Sequence, residues 1–488
     1  MLQRVLVLPW ILLVLLLPTA WSAPTDKSEP PKEDRYELFK ILVDTMDQVE
    51  RNYVNQVDRR ELVEAAIQGM LTKLDPYSSY IGPEELGRFR ATVENEFGGI
   101  GVQISVDGGH LQVLSPLIGT PAYRAGIVAG DRITEIEGES ADGITIDKAM
   151  QKLKGAVGTK VTIGVLHSGA AEPEQITITR ELIHVETVLG DHRLPNDQWD
   201  FMLDHDRRIA YVRLVAFSRD TARDLRKVLE QLRTAKVRAL VLDLRFNPGG
   251  LLNSAIEVSD LFLTKGRIVS TAGRNSAERV WDAEEDKDDF TGFPMVILVN
   301  RFSASASEIV AACLQDNGRA VVVGERSWGK GSVQNVIELD EGNSLLKLTT
   351  SKYLRPNGKN IHRFPESKET DEWGVTPDKG YELKLSSNEI DEQVRVRRQR
   401  DVLQPHKKDA AEKPKTEAQA DPQDKPTAKA RPASKNKPAS DDKPAAKDKP
   451  AAKATAKSAA KKGEAFVDRQ LKMALDYLTS EFARVDKP

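Results

Sequence analysis

One cysteine in 488 residues removes several chemistries at once. Cys313 has no partner in the chain, so no intramolecular disulfide holds the fold and no cysteine cluster binds zinc. It sits in the apolar run IVAACLQD and reads as a small core residue. A large excess of either charge is lacking too. The net charge of −3 gives no electrostatic footprint for nucleic acid. Histidine is sparse: His110, His167, His184, His192, His205, His362 and His406 all fall outside glycine-rich or strand-end motifs. Imidazole is therefore a poor candidate for a catalytic base here, and a surface role suits His362. A long apolar run occurs at the amino end, Val5 to Leu17 behind Arg4, before the small-x-small tripeptide Ala20-Trp21-Ser22. Residues 1–22 read as a secretory signal peptide. The run is short of the ~20 residues a membrane span needs. No cysteine lies near the cleavage site, which excludes a lipoprotein anchor. The expected location is exported, periplasmic or membrane-associated through this segment.

The rest of the chain divides by pattern. Apolar residues recur at helical spacing from Tyr36 to Tyr53 and again from Arg59 to Leu74, which predicts a helical region over 35–95. Such a region covers a core or serves a second copy of the chain. Residues 96–183 hold short β-branched strands around one helix, TIDKAMQKLKG. Residues 184–390 alternate strand and helix, which argues α/β. Residues 405–463 are Lys, Ala, Pro and Asp with Lys-Pro recurring at 437–438, 443–444 and 449–450. Too few apolar residues remain there to offset ordering entropy, so disorder is expected. A last helix over 464–486 carries Val467, Leu471, Leu475, Leu478 and Phe482 on one face, and reads as a docking helix on a tether.

The chemistry concentrates in AVVVGERSWGKGSVQ, residues 320–334. Gly324, Gly329 and Lys330 nearly spell a phosphate-binding loop. Gly331 stands where the magnesium-ligating hydroxyl belongs, and Ser332 is one place late. A lysine packed between two glycines has another use. Desolvation disfavours its ammonium and makes it a base. Upstream, VNRFSASASEI runs from a strand end into a helix and places Ser303, Ser305 and Ser307 at the turn. Unpaired N–H groups at a helix start can stabilise an oxyanion. Serines there are more commonly caps or packing residues. With imidazole set aside, lysine is the candidate base for a serine.

SASASE at 303–308, with the lysine of GKGSVQ 25 residues after its middle serine, resembles the carboxy-terminal processing peptidases, serine proteases with a Ser–Lys dyad. The likeness covers most of residues 36–385. It includes LDPYSSY at 74–80, GGIGVQI at 98–104, PAYRAGIVAGDRI at 121–133, LDLRFNPGG at 242–250 and WGVTPD at 373–378. The resemblance implies a crotonase-like α/β protease core with an inserted PDZ domain. It also implies Ser305 as nucleophile, Lys330 as base, Gln334 as the residue that orients the lysine, and backbone N–H groups of Gly250 and Ala306 as the oxyanion hole. Ser303 and Ser307 then keep structural roles. The PDZ carboxylate loop falls on Gly99, Ile100, Gly101 and Val102, with the Arg180–Glu181 segment as a hinge. Glycine-loop N–H groups suit a carboxylate in any case. The expected partners are protein substrates with apolar C-termini, a second copy in a homodimer or larger homo-oligomer, and an adaptor protein. No metal, cofactor or nucleic acid is implied. Two readings compete: a non-catalytic PDZ scaffold of the cell envelope, and a crotonase-like enzyme on small acyl substrates. Intact Ser305, Lys330 and Gln334 count against the first. Export and the β-rich unit count against the second.

Overall fold

The computed structural model describes residues 35–275, 277–285, 290–403 and 466–485. The expected signal peptide and the Lys/Ala/Pro tract lie outside the described residues. Among those described, no helix is long and apolar enough to cross a membrane.

The chain divides into two compact units at Pro76. The first contains the helices Arg35–Asn52 and Arg59–Thr72. The second of these begins where Asp58, in extended backbone, accepts hydrogen bonds from the Arg60 and Glu61 N–H groups. That caps two orphan donors of the first turn.

In the second unit, four strands form a parallel stack in the order Ile209–Leu214, Ala239–Asp243, Met295–Val299, Val321–Gly324. Burial on both faces explains why they are almost wholly apolar. Ala210, Val212 and Leu214 face a core built with Leu225, Val228 and Leu229 of the helix Thr221–Thr234 and Ile309 and Val310 of Ala306–Asp316. Alternate residues Ile209 and Tyr211 face the other way. They pack with Leu471, Ala474, Leu478 and Phe482 of the last helix, Arg469–Val485. Val467 stays exposed, just ahead of that helix. The sheet is thus the middle of three layers.

A second, antiparallel sheet joins Ser344–Leu354 to Arg267–Ala272 and to Ser332–Leu339. It also recruits Ser79–Ile81, which pairs with Leu345–Lys347. The stretch expected to be a helical region through residue 95 therefore also contains a strand of this sheet. The reason is a pairing across more than 260 residues, which no local pattern displays.

A six-stranded antiparallel sheet occupies 102–179, its core closed by the helix Ile146–Leu153. Its chain enters through Glu96–Gly99 and leaves through Glu181–His184. These two strands pair with each other to form a neck. Arg180, 9% exposed, donates from its guanidinium to the Lys152, Leu153 and Lys160 carbonyls and to Thr159 Oγ1. It fastens the exit of this domain to its own body.

Candidate active site

Three loops leave the carboxyl ends of adjacent parallel strands, where open α/β sheets bind ligands. They are 244–251, 300–305 and 325–331. Asn300, 3% exposed, presents its Oδ1 to the N–H groups of both Phe246 and Phe302, each at 3.1 Å. Ser303 Oγ donates to the Leu244 carbonyl at 2.9 Å, and Ser307 Oγ donates to the Asn247 carbonyl at 3.0 Å. Both hydroxyls are consumed in holding loops together, in agreement with the structural roles expected for them.

Between them, Ser305 opens the helix Ala306–Asp316 with φ 55° and ψ −114°. A non-glycine residue there is strained by ~1–3 kcal/mol, and strain of this kind clusters at functional sites. The neighbouring backbone comes very close. A Cβ on Gly249 would meet Ala304 O at 2.6 Å and Ser305 Cβ at 2.8 Å, so that position admits only glycine. Around Gly250, Phe217 N–H donates to Gly249 O and Leu251 N–H donates to Phe217 O. These pairings pass over the Gly250 N–H. The Ala306 N–H belongs to the first helical turn, whose donors have no intrahelical acceptor.

Lys330 is half-buried in the third loop. Its Nζ lies 4.9 Å from the ring centroid of Tyr77, a residue of LDPYSSY. The flanking glycines are sterically required. A Cβ on Gly329 would meet Arg363 Cβ at 2.7 Å, and one on Gly331 would meet the His362 backbone nitrogen at 2.3 Å. Gln334 lies on the strand that follows, and its amide nitrogen donates to Ser332 Oγ at 2.9 Å and Thr349 Oγ1 at 3.2 Å.

Sequence reasoning passed over two groups that belong to this site. Glu308 is fully buried, and its carboxylate accepts four hydrogen bonds: Ser305 N–H at 2.8 Å, Lys330 N–H at 2.8 Å, Gly329 N–H at 2.6 Å and Ser327 Oγ at 2.5 Å. One side chain thus binds the backbone of the serine and of the lysine. Burial pushes its pKa up, and the four donors pull against that rise. Its signal in the sequence was position: a glutamate three residues after a serine at a helix start is a capping partner. Tyr353, 4% exposed, lies beside Ser305 and donates its backbone N–H to the Gly331 carbonyl at 2.9 Å. Burial pushes its phenol up to about 12, which keeps it protonated. Nothing local marks it in the sequence, because it arrives on the second sheet.

The expected carboxylate loop lines a cleft of about 700 Å³. Gly101 adopts φ 77°, and a Cβ there would lie 2.3 Å from Thr120 Cβ. The Ile100 and Gly101 carbonyls are used by Ala122 N–H and Leu117 N–H. Ile100 itself is 1% exposed and belongs to the domain core, so it offers its backbone rather than its side chain. Val102, Ile104, Ile146 and Met150 line the cleft. At the neck, Glu96, His184 and Asp220 bring possible metal-ligand atoms within 4.8 Å of one another. Arg223 already pairs with Asp220 there at 2.9 Å.

A family model described as Peptidase family S41 matches residues 208–379, and one described as PDZ domain matches 112–166. A third, described as the activating protease CtpB N-terminal domain, matches 19–85. A carboxy-terminal-processing protease of Bartonella bacilliformis is 36% identical over 391 residues, covering 76% of this chain and 83% of its own length. The carboxy-terminal processing protease CtpA of Bacillus subtilis is 35% identical over 327 residues, which is 67% of each chain. Among solved structures, the photosystem II D1 C-terminal processing protease matches 72% of this chain and 94% of its own at 28% identity, with a TM-score of 0.41.

Proposed function

The chain belongs to the carboxy-terminal processing proteases, serine-type peptidases of family S41 with a PDZ domain, and we propose that Ser305 is its nucleophile and Lys330 its general base. The observation that carries this assignment is the Glu308 carboxylate, which binds the Ser305 and Lys330 N–H groups at 2.8 Å each and so fixes one loop against the other. The chemistry follows from the two groups. Neutral Lys330 Nζ takes the proton of Ser305 Oγ as that oxygen bonds to the scissile carbonyl carbon. The Gly250 and Ala306 N–H groups receive the negative charge on the carbonyl oxygen. The lysine ammonium then gives its proton to the departing amine nitrogen. Water attacks the acyl-serine in the same way and returns the hydroxyl. Gln334 orients the lysine amine. No metal or cofactor enters these steps.

The layered sheets and helices of the core support a crotonase-like assignment. The substrate reading is an unstructured chain with an apolar C-terminus, its carboxylate held by N–H groups of Gly99, Ile100, Gly101 and Val102, and its last residues added along the edge strand Val102–Asp107. The serine lies in a different domain, so the cut falls upstream of the held end. Export is carried by the amino-terminal apolar run, and a homo-oligomer and an adaptor are the further partners in this reading.

Purified wild type should degrade casein, while Ser305→Ala and Lys330→Ala should each lose at least about 1,000-fold. Each single loss should nearly equal the double loss, because the pair acts as a unit. Cleavage by Ser305→Ala at the wild-type rate would overturn the assignment of Ser305 as nucleophile.

A further inference from the structure

Three large aromatic side chains stand exposed on the loops that carry the site: Phe246 at 36%, Phe302 at 41% and Trp328 at 52%. Phe246 precedes Gly249 by three residues, and Gly249 abuts Ser305. Phe302 precedes Ser305 by three, and Trp328 precedes Lys330 by two. The two phenyl rings are stacked, with centroids 5.5 Å apart and planes 17° from parallel. Trp328 N–H donates to the Ser303 carbonyl at 2.9 Å, which brings the third aromatic to the same turn.

The placement is held by the backbone rather than by apolar packing. Asn300 Oδ1 accepts from both phenylalanine N–H groups. Their sequence neighbours are bound into the protein by charge. Arg245 pairs with Asp243 and Asp468, and Arg301 pairs with Glu325. Arginines thus anchor these loops while the adjacent phenyl rings stay partly exposed. Phe246 also sits at φ 62°. For a bulky residue that value is a genuine outlier. Folding gains little from a strained, exposed ring, so its purpose is sought in a ligand.

We propose that Phe246 and Phe302, with Trp328 beside them, form the subsite that accepts an apolar side chain of the substrate next to the scissile bond. Ring faces carry negative potential and offer no hydrogen-bond donor, so the subsite favours Leu, Met and Phe and disfavours Asp and Glu. The protease would then read its substrates twice, once at the end held by the PDZ cleft and once at the cut. This inference rests on the assignment of Ser305 as nucleophile.

The test uses the full chain and paired unstructured peptides that share one C-terminus. They differ at one position beside the cut, Leu against Ala, with cut sites read by mass spectrometry. Wild type should prefer the Leu peptide. In Phe246→Gly and Phe302→Ala the Leu-to-Ala ratio of kcat/KM should fall by about tenfold, the scale of one lost apolar contact. Phe246→Gly also relieves the positive φ, so its thermal melt should be no lower than wild type. An unfolding artefact would lower the rate for both peptides without moving their ratio. Unchanged ratios in variants that melt like wild type and whose cleavage still requires Ser305 would overturn the subsite alone. Cleavage by Ser305→Ala would overturn the nucleophile assignment, and the subsite with it.

Discussion

At Glu308 two opposing effects act on one carboxyl group. Burial favours the neutral acid, and four donors favour the anion. Burial prevails in the direction of the shift, so the pKa lies above the ordinary glutamate value. The folded chain then holds a proton more readily than the unfolded one. Stability linked to this group is greatest at low pH and is lost as pH rises from the unfolded pKa through the folded one. Folding free energy relative to a Glu308→Gln chain should accordingly fall between about pH 4 and the folded pKa. A flat difference in denaturant titrations across that range would contradict the reading. The same substitution tests positioning. Oε2 receives two backbone N–H groups, and Oε1 receives one with the Ser327 hydroxyl. Either orientation of a glutamine amide sets its NH2 against a backbone N–H. We expect kcat to fall by about 100-fold, the scale of a roughly 1 Å misplacement, with KM little changed. The proposal of Ser305 and Lys330 rests on motifs that are long and ordered in the sequence. Glu308 was passed over, although its place three residues after Ser305 at a helix start is that of a capping partner. Its second task depends on a loop more than 20 residues away, and that contact is purely tertiary.

Among the secondary elements, the last helix shows how far periodicity reaches. The apolar face of Leu471, Leu478 and Phe482 could be read directly, and these residues do meet the far side of the parallel sheet. Its electrostatic anchor could not be read. Arg245, 3% exposed, lies between Asp243 at 2.6 Å and Asp468 at 2.9 Å, which ties the start of that helix to a loop of the site. Burial pushes Asp468 up, but the charge and hydrogen bonds of Arg245 outweigh it and hold the acid at about 2. The strand Ser79–Ile81 was missed for a related reason, since three residues carry no period and its partner is remote. Leu478 is fully buried against Ile209, Tyr211 and their neighbours. Leu478→Ala should therefore cost about 2–5 kcal/mol of unfolding free energy. A urea midpoint unchanged from wild type would show that the helix docks without supporting the core.

Across the whole molecule, the PDZ domain is inserted through two strands that pair with each other. Gly99 lies opposite Glu181 in the neck, so the chain can be closed there by a short turn without disturbing the strands below. The domain makes other contacts that excision would remove. Tyr123 Oη donates to Asp197 Oδ2 at 2.6 Å, and Leu403 N–H reaches Ser115 Oγ at 3.4 Å. These are few beside the continuous core of the α/β layers, which contains no residue of 100–180. Replacing 100–180 by a glycine-rich turn should leave a folded core with a melt within a few degrees of the full chain. The substrate experiment then separates the two domains. With a peptide whose C-terminus is free and the same peptide amidated, the full chain should cleave the acid faster, because an amide presents a neutral NH2 to N–H donors. The excised chain should treat the pair alike, since its remaining residues sense the cut and not the end. A full chain that cleaves acid and amide equally would remove carboxylate capture from the mechanism. An excised chain that still prefers the acid would move the carboxylate site into the core.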